Sequence, residues 1–135
     1  MAFYGQQYLE QANRIDLVKD EQAYKQALSN SKKLAAGMLD QYLVEAKADA
    51  ILLPATTAAW AIDHVKGDDY SFGSSTAAAV SGYPSITLPA GMDGVLPLGL
   101  SVVGAQWSEP KLIALATLLE QQLPKAPVPS YQAKL

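Results

Sequence analysis

Val80-Ser81-Gly82-Tyr83-Pro84-Ser85-Ile86-Thr87-Leu88-Pro89-Ala90-Gly91 decides the fold, together with Leu96-Pro97-Leu98-Gly99-Leu100-Ser101-Val102-Val103-Gly104 a few residues on. The Ala-rich run Ser75 to Ser81 predicts a short helix that ends at Gly82, because glycine enters the left-handed region without a Cβ clash. Pro84 forbids continuation of that helix and commits the chain to an extended course. Ser85 to Pro89 and Leu98 to Gly104 then read as two strands. The glycine-bearing connection Ala90 to Pro97 favours their antiparallel pairing.

Working back from that stretch, Ala50-Ile51-Leu52-Leu53-Pro54 is a short apolar run closed by proline. It reads as a strand buried on both faces, as in a parallel sheet. Before it, apolar positions from Ala23 and Ala27 through Leu34, Met38, Leu39, Tyr42, Leu43 and Ala46 recur at three- and four-residue spacing. They predict one long amphipathic helix over 20–48 with a possible bend at Gly37. A shorter helix is expected from Tyr4 to Arg14. Residues 55–71, rich in Asp and Gly, read as a surface excursion. Working forward, Ser108 is the expected N-cap of a helix to Gln122, with Glu109 and Pro110 in its first turn. Leu112, Leu115, Ala116, Leu119 and Leu123 form its apolar stripe.

The expected fold class is α/β: a partial mixed sheet with flanking helices. The chain is read as one unit over 1–135, helical over 4–48, α/β over 49–123, and an irregular tail over 124–135. Three strands hardly cover a run as apolar as Ala50 to Leu53 on both sides, which implies that part of a larger sheet lies elsewhere.

Composition narrows the function. Of 135 residues, 50% are hydrophobic and 17% charged, with 10 basic against 13 acidic side chains. No basic cluster marks a nucleic-acid or membrane surface, so neither is an expected direct partner. Without cysteine there is no disulfide, thiolate metal site or thiol nucleophile. Met1 to Gln7 has neither a basic nor an apolar targeting region, and a cytoplasmic location is the expectation.

The two quoted stretches resemble the C-terminal region of amidase-signature enzymes, where a Gly-x-Pro-x-Ile-x-x-Pro-x-Gly segment precedes Gly-Leu-Pro-x-Gly-Leu. Val95-Leu96-Pro97 stands in for the Gly-Leu-Pro element. Ala48 to Thr56 is similar to the family's Asp-x-Leu-x-x-Pro-Thr strand, and Trp107-Ser108-Glu109-Pro110-Lys111-Leu112 also matches. The likeness runs in order from about Gln22 to Tyr131. It implies the C-terminal part of an amidase-signature fold, from an amidase or from the A-type chain of a glutamyl-tRNA(Gln) amidotransferase. The family hydrolyses amides with a serine nucleophile, a bridging serine held by a cis peptide, and a neutral lysine as base. By the resemblance all three lie N-terminal to the segments present here. The chain is therefore expected to carry no catalytic residue, no cofactor and no metal, and to be inactive alone. Its expected partners are the missing N-terminal part of the enzyme and a small-molecule amide.

Gly73-Ser74-Ser75-Thr76 superficially resembles the family's nucleophile segment. Thr76 and Ala77 follow where the oxyanion loop uses glycines, and no lysine motif precedes it. The competing reading is that Ser74 or Ser75 caps the short helix. The resemblance also puts the loop ahead of that helix beside the substrate, with Tyr70, Phe72 and Ser74 as candidate substrate-binding residues. Phe72 stands where the glutamine-using relatives carry an aspartate, which argues for a less polar amide. Simple packing of Phe72 competes with that role.

His64, with Asp63, Asp68 and Asp69 nearby, offers too few converging ligands for a metal. Trp60 and Trp107 read as core aromatics. Lys66 has no sign of the burial that would make it a base. A non-catalytic binding or structural module on the same scaffold is the remaining alternative. Lacking the rest of its sheet, the isolated chain is expected to self-associate through an exposed edge or apolar face.

Overall fold

The computed structural model describes residues 5–125, 127 and 128. The order is α1 (Gln7–Ala12), α2 (Glu21–Ala46), β1 (Ala50–Pro54), α3 (Ser75–Ser81), β2 (Ser85–Asp93), β3 (Leu96–Gly104) and α4 (Glu109–Glu120). Most of the tail expected over 124–135, and the first residue of the helix expected from Tyr4, lie outside the described residues. The fold class is α/β, as expected.

The three strands form one sheet in the order β1-β3-β2. Both pairings are antiparallel, with Ile51 opposite Val103 and Ile86 opposite Val102. Among the described strands β1 is therefore an edge, and its apolar run does not mark a parallel pairing. Leu52 is 51% exposed. The hairpin strands are longer than expected. Pro89 and Gly91 form an irregularity within β2 instead of ending it, because an edge strand tolerates both. Pro97 lies in β3 beyond the residues that β1 pairs. The turn shrinks to Gly94 and Val95, with Gly94 at φ 59°, the glycine-first pattern of a tight two-residue hairpin.

Cross-strand register sorts the side chains onto two faces. Ile51, Leu53, Ser85, Thr87, Ser101 and Val103 share one; Leu52, Ile86, Leu88, Leu100, Val102 and Gly104 share the other. Helices α2 and α3 cover the first face, where Leu39, Ala78 and Val103 are buried with Ile51, Ala77 and Tyr83 against them. Helix α4 packs on the second through Leu112 and Ala116, beneath β2 and β3. Gly104 permits this approach: a Cβ there would meet the Ser108 hydroxyl and lie 3.0 Å from a Leu112 methyl.

Helix α2 runs unbroken through Gly37, yet of its apolar stripe only Leu39 and Leu43 are buried. Leu34, Met38 and Tyr42 remain 68%, 48% and 58% exposed. At about 39 Å the helix outreaches the narrow sheet. Lys47 ends it in the left-handed conformation, with the Ala48 N–H donating to the Leu43 carbonyl. Gly82 ends α3 at φ 78°, as its position predicts. Ser74 and Ser108 occupy the N-cap positions of α3 and α4, but neither hydroxyl caps its helix. Ser108 donates to the Ala105 carbonyl at 2.7 Å instead. Trp107 is 80% exposed, on a positive φ, and is not a core residue.

Candidate functional site

An open groove of about 890 Å³ lies between α2, α3 and β1. Its walls are apolar: Leu34, Met38 and Tyr42 from α2, Ile51 and Leu53 from β1, and Ala77 and Val80 from α3. Phe72, Gly73 and Ser74 close one end. No charged side chain lines it. These walls follow from α2 projecting past the sheet while α3 leans against it. The helix stripe that reads as core in the sequence is thus the groove wall.

The end wall belongs to a loop, 55–73, closed at its neck. Ala55 donates its N–H to the Gly99 carbonyl at 2.8 Å. The Ala55 carbonyl accepts from both the Ser74 N–H, at 3.0 Å, and the Ser74 hydroxyl, at 3.1 Å. The Thr56 hydroxyl and the Thr57 N–H both donate to the Phe72 carbonyl, at 3.0 and 3.3 Å. Farther out, Trp60 and Tyr70 meet edge to face, their centroids 6.1 Å apart. The Tyr70 ring also packs over Gly73, where any Cβ would strike the phenol oxygen. At the tip, the Lys66 and Val65 N–H groups donate to Asp63, holding its carboxyl below the usual range.

Of the three residues expected at a substrate wall, Phe72 and Ser74 line the groove and Tyr70 stands behind it. Ser74 is buried and spends its hydroxyl proton on the loop neck, so its place in the fold is that of a latch. Phe72 is 41% exposed, with its ring available at the mouth. The Thr56 and Thr57 contributions escape sequence reading, since nothing local distinguishes a threonine that closes a loop. Thr57 buries its hydroxyl without a partner.

Elsewhere the hydroxyl chemistry is structural. Ser81 donates to the Ala78 carbonyl and accepts from the Tyr83 N–H, bracing the Gly82 turn. Ser101 and Thr87 share a hydrogen bond of 2.9 Å across β3 and β2. The Tyr83 hydroxyl donates to Asp40 at 2.9 Å, tying α2 to the start of β2. That bond to the carboxylate pushes the Tyr83 phenol above its ordinary pKa. Every described lysine is exposed. Among the described residues no three His, Asp or Glu side chains gather as a metal site.

No family model matches the chain. Its geometry is similar to that of the peptide amidase PAM, solved with the competitive inhibitor chymostatin, at a TM-score of 0.81 and 41% identity over 90% of this chain. The chain belongs to the amidase-signature family. A probable amidase of Arabidopsis thaliana is 37% identical over 98 residues, 72% of this chain. The A-type chain of the glutamyl-tRNA(Gln) amidotransferase of a Psychrobacter species is 31% identical over 119 residues, 70% of this chain. This amidase-signature chain spans 25%, 16% and 23% of those three proteins respectively, so it corresponds to a quarter or less of each. Among the described residues no helix is long and apolar enough to cross a membrane.

Proposed function

We propose that this chain is the C-terminal, non-catalytic part of an amidase that hydrolyses a carboxylic amide to an acid and ammonia or an amine. In this reading the serine nucleophile, the bridging serine and the lysine base lie outside these residues, and the activity is cytoplasmic. The observation that carries it is the state of the lysines. A lysine acts as a base near neutral pH only when burial or a neighbouring cation lowers its pKa, and every described lysine here is exposed. Three of them, Lys19, Lys25 and Lys111, spend their ammonium groups on ion pairs with Asp16, Glu21 and Asp49. A serine hydroxyl without an adjacent base is a poor nucleophile at neutral pH.

Phe72 and Ser74 then form part of the substrate wall, with Tyr70 supporting them through Gly73. An apolar, uncharged groove beside Phe72 suits an amide with an apolar side chain better than glutamine. The amidotransferase relative keeps the glutamine-dependent reading as the second choice.

Two preparations test the proposal: the chain alone, and a chimera in which it replaces the corresponding quarter of the peptide amidase PAM. Peptide amides and simple aromatic amides are the substrates. The chain alone is expected to give no turnover, and the chimera to hydrolyse both. Phe72→Ala in the chimera should raise KM for the apolar amides roughly tenfold. Turnover by the chain alone that disappears in Ser74→Ala or Ser75→Ala would overturn the reading. A chimera that prefers glutamine would move it to the amidotransferase.

A further inference from the structure

Gly73, in the end wall of the groove, is not among the glycines of positive φ, so its backbone does not need the freedom of a missing side chain. The space a side chain would take is filled by another residue. The Tyr70 phenol lies over Gly73, with its oxygen where a Cβ would stand and two ring carbons 3.2 and 3.4 Å from that point. Glycine here makes room for a ring.

That ring is held in turn. Thr56 and Gly73 face each other in an isolated antiparallel bridge, and at the outer end of the same two arms Trp60 meets Tyr70 edge to face. Such a contact fixes ring orientation as well as covering area. Beyond it the tip closes on itself: the Gly67 N–H donates to the Asp63 carbonyl at 3.0 Å, and all of 61–69 is exposed. Trp60 is half-buried all the same. Phe72 thus sits between two fastenings. Thr56 and Thr57 hold its carbonyl, and its neighbour Gly73 lies under Tyr70. Phe72 and Gly73 line the groove, whereas Trp60 and Tyr70 do not. The aromatic pair can act on an occupant only through the end wall.

We propose that Trp60 and Tyr70 are positioning residues that select amides with an aromatic or large apolar acyl side chain, by holding the Phe72 ring at the groove mouth. The inference rests on the amidase reading and puts the selectivity in a contact that the substrate does not touch. The PAM chimera tests it with two substrates, N-acetylphenylalanine amide and N-acetylglycine amide. Trp60→Ala should raise KM for the phenylalanine amide roughly fivefold, while kcat for both amides and KM for the glycine amide stay within about twofold. Trp60→Phe, which keeps a ring against Tyr70, should restore most of the loss. Gly73→Ala should lower the same selectivity, because its methyl displaces the phenol, and adding Tyr70→Phe should relieve it by removing the oxygen in the way. Because Trp60 acts through Phe72, Trp60→Ala should change nothing further for the phenylalanine amide in a Phe72→Ala chimera.

Equal losses on both amides, a fall in kcat alone, or additive effects of Trp60→Ala and Phe72→Ala would overturn the proposal and leave the amidase reading standing. An unsubstituted chimera that binds both amides and hydrolyses neither would sink the amidase reading instead. The ratio of the two dissociation constants, by calorimetry, then decides, and a ratio unmoved by Trp60→Ala overturns the proposal. If Trp60→Ala does not fold, Gly73→Ala with and without Tyr70→Phe gives the same reading, since the phenol it displaces belongs to a side chain more than half exposed. A selectivity that neither variant moves counts against the proposal.

Discussion

Leu112 offers the sharpest test of how this small sheet is held together. It is 2% exposed, and it approaches the backbone where Gly104 leaves room. Leu112→Ala removes three carbons from full burial, worth about 2.4 kcal/mol at roughly 0.8 kcal/mol each. Incomplete collapse of the space raises the expected loss to about 3–4 kcal/mol. Gly104→Ala acts in the opposite sense. Its new methyl would meet the Ser108 hydroxyl, which bonds Ala105, and would lie 3.0 and 3.1 Å from the Leu112 methyl and Cγ. Overpacking of this kind costs about 1–3 kcal/mol. The two changes touch the same space, so the double variant should lose at least about 1 kcal/mol less than the sum. Urea unfolding of the four proteins measures the cycle, with equal slopes required for the comparison. Additive losses, or a Leu112→Ala effect below about 1 kcal/mol, would refute the packing of α4 against Gly104.

Two further outcomes follow from single positions. Gly37→Ala should stabilise the chain by about 0.5–1 kcal/mol in the same unfolding assay, because the added methyl meets nothing within 4 Å and the helix is continuous there. Asp40→Asn should return the Tyr83 phenol toward its ordinary pKa, read from phenolate absorbance. Because folding raises this pKa, the pair's contribution is fully present below the unfolded tyrosine value and is lost as pH rises through the folded one. The parent should therefore lose more stability than Asp40→Asn across that alkaline range.

Much of this was legible in the sequence because periodicity and punctuation are local. The stripe along α2, the stop at Gly82 and the start of α4 near Ser108 all depend on residues within a few positions of each other. Burial was less legible. Leu34, Met38 and Tyr42 fit a core pattern, but whether a stripe is covered depends on the width of the sheet beneath it, which the helix does not encode. The same limit misplaced β1, whose apolar run records what the strand is suited to touch and not which neighbour it has. Ser74 and Ser108 were correctly placed at helix starts, yet their hydroxyls found nearer carbonyls. The Asp40–Tyr83 bond spans 43 positions and has no local signature. Phe72 and Ser74, expected beside the substrate by resemblance alone, line the groove. The two threonines of the loop neck were not expected, because what distinguishes them is the Phe72 carbonyl facing them across the loop.

The closed neck between Ala55 and Ser74 has a consequence for the loop beyond it. Its bonds fix both ends of the segment to β1 and α3. Doubling the length of such a loop adds only about 0.6 kcal/mol of closure entropy. Insertions in the exposed tip, 61–69, should therefore cost little in closure. Lengthening or rewriting that tip should leave the hydrogen bonds of the neck, and with them the sheet, as they are.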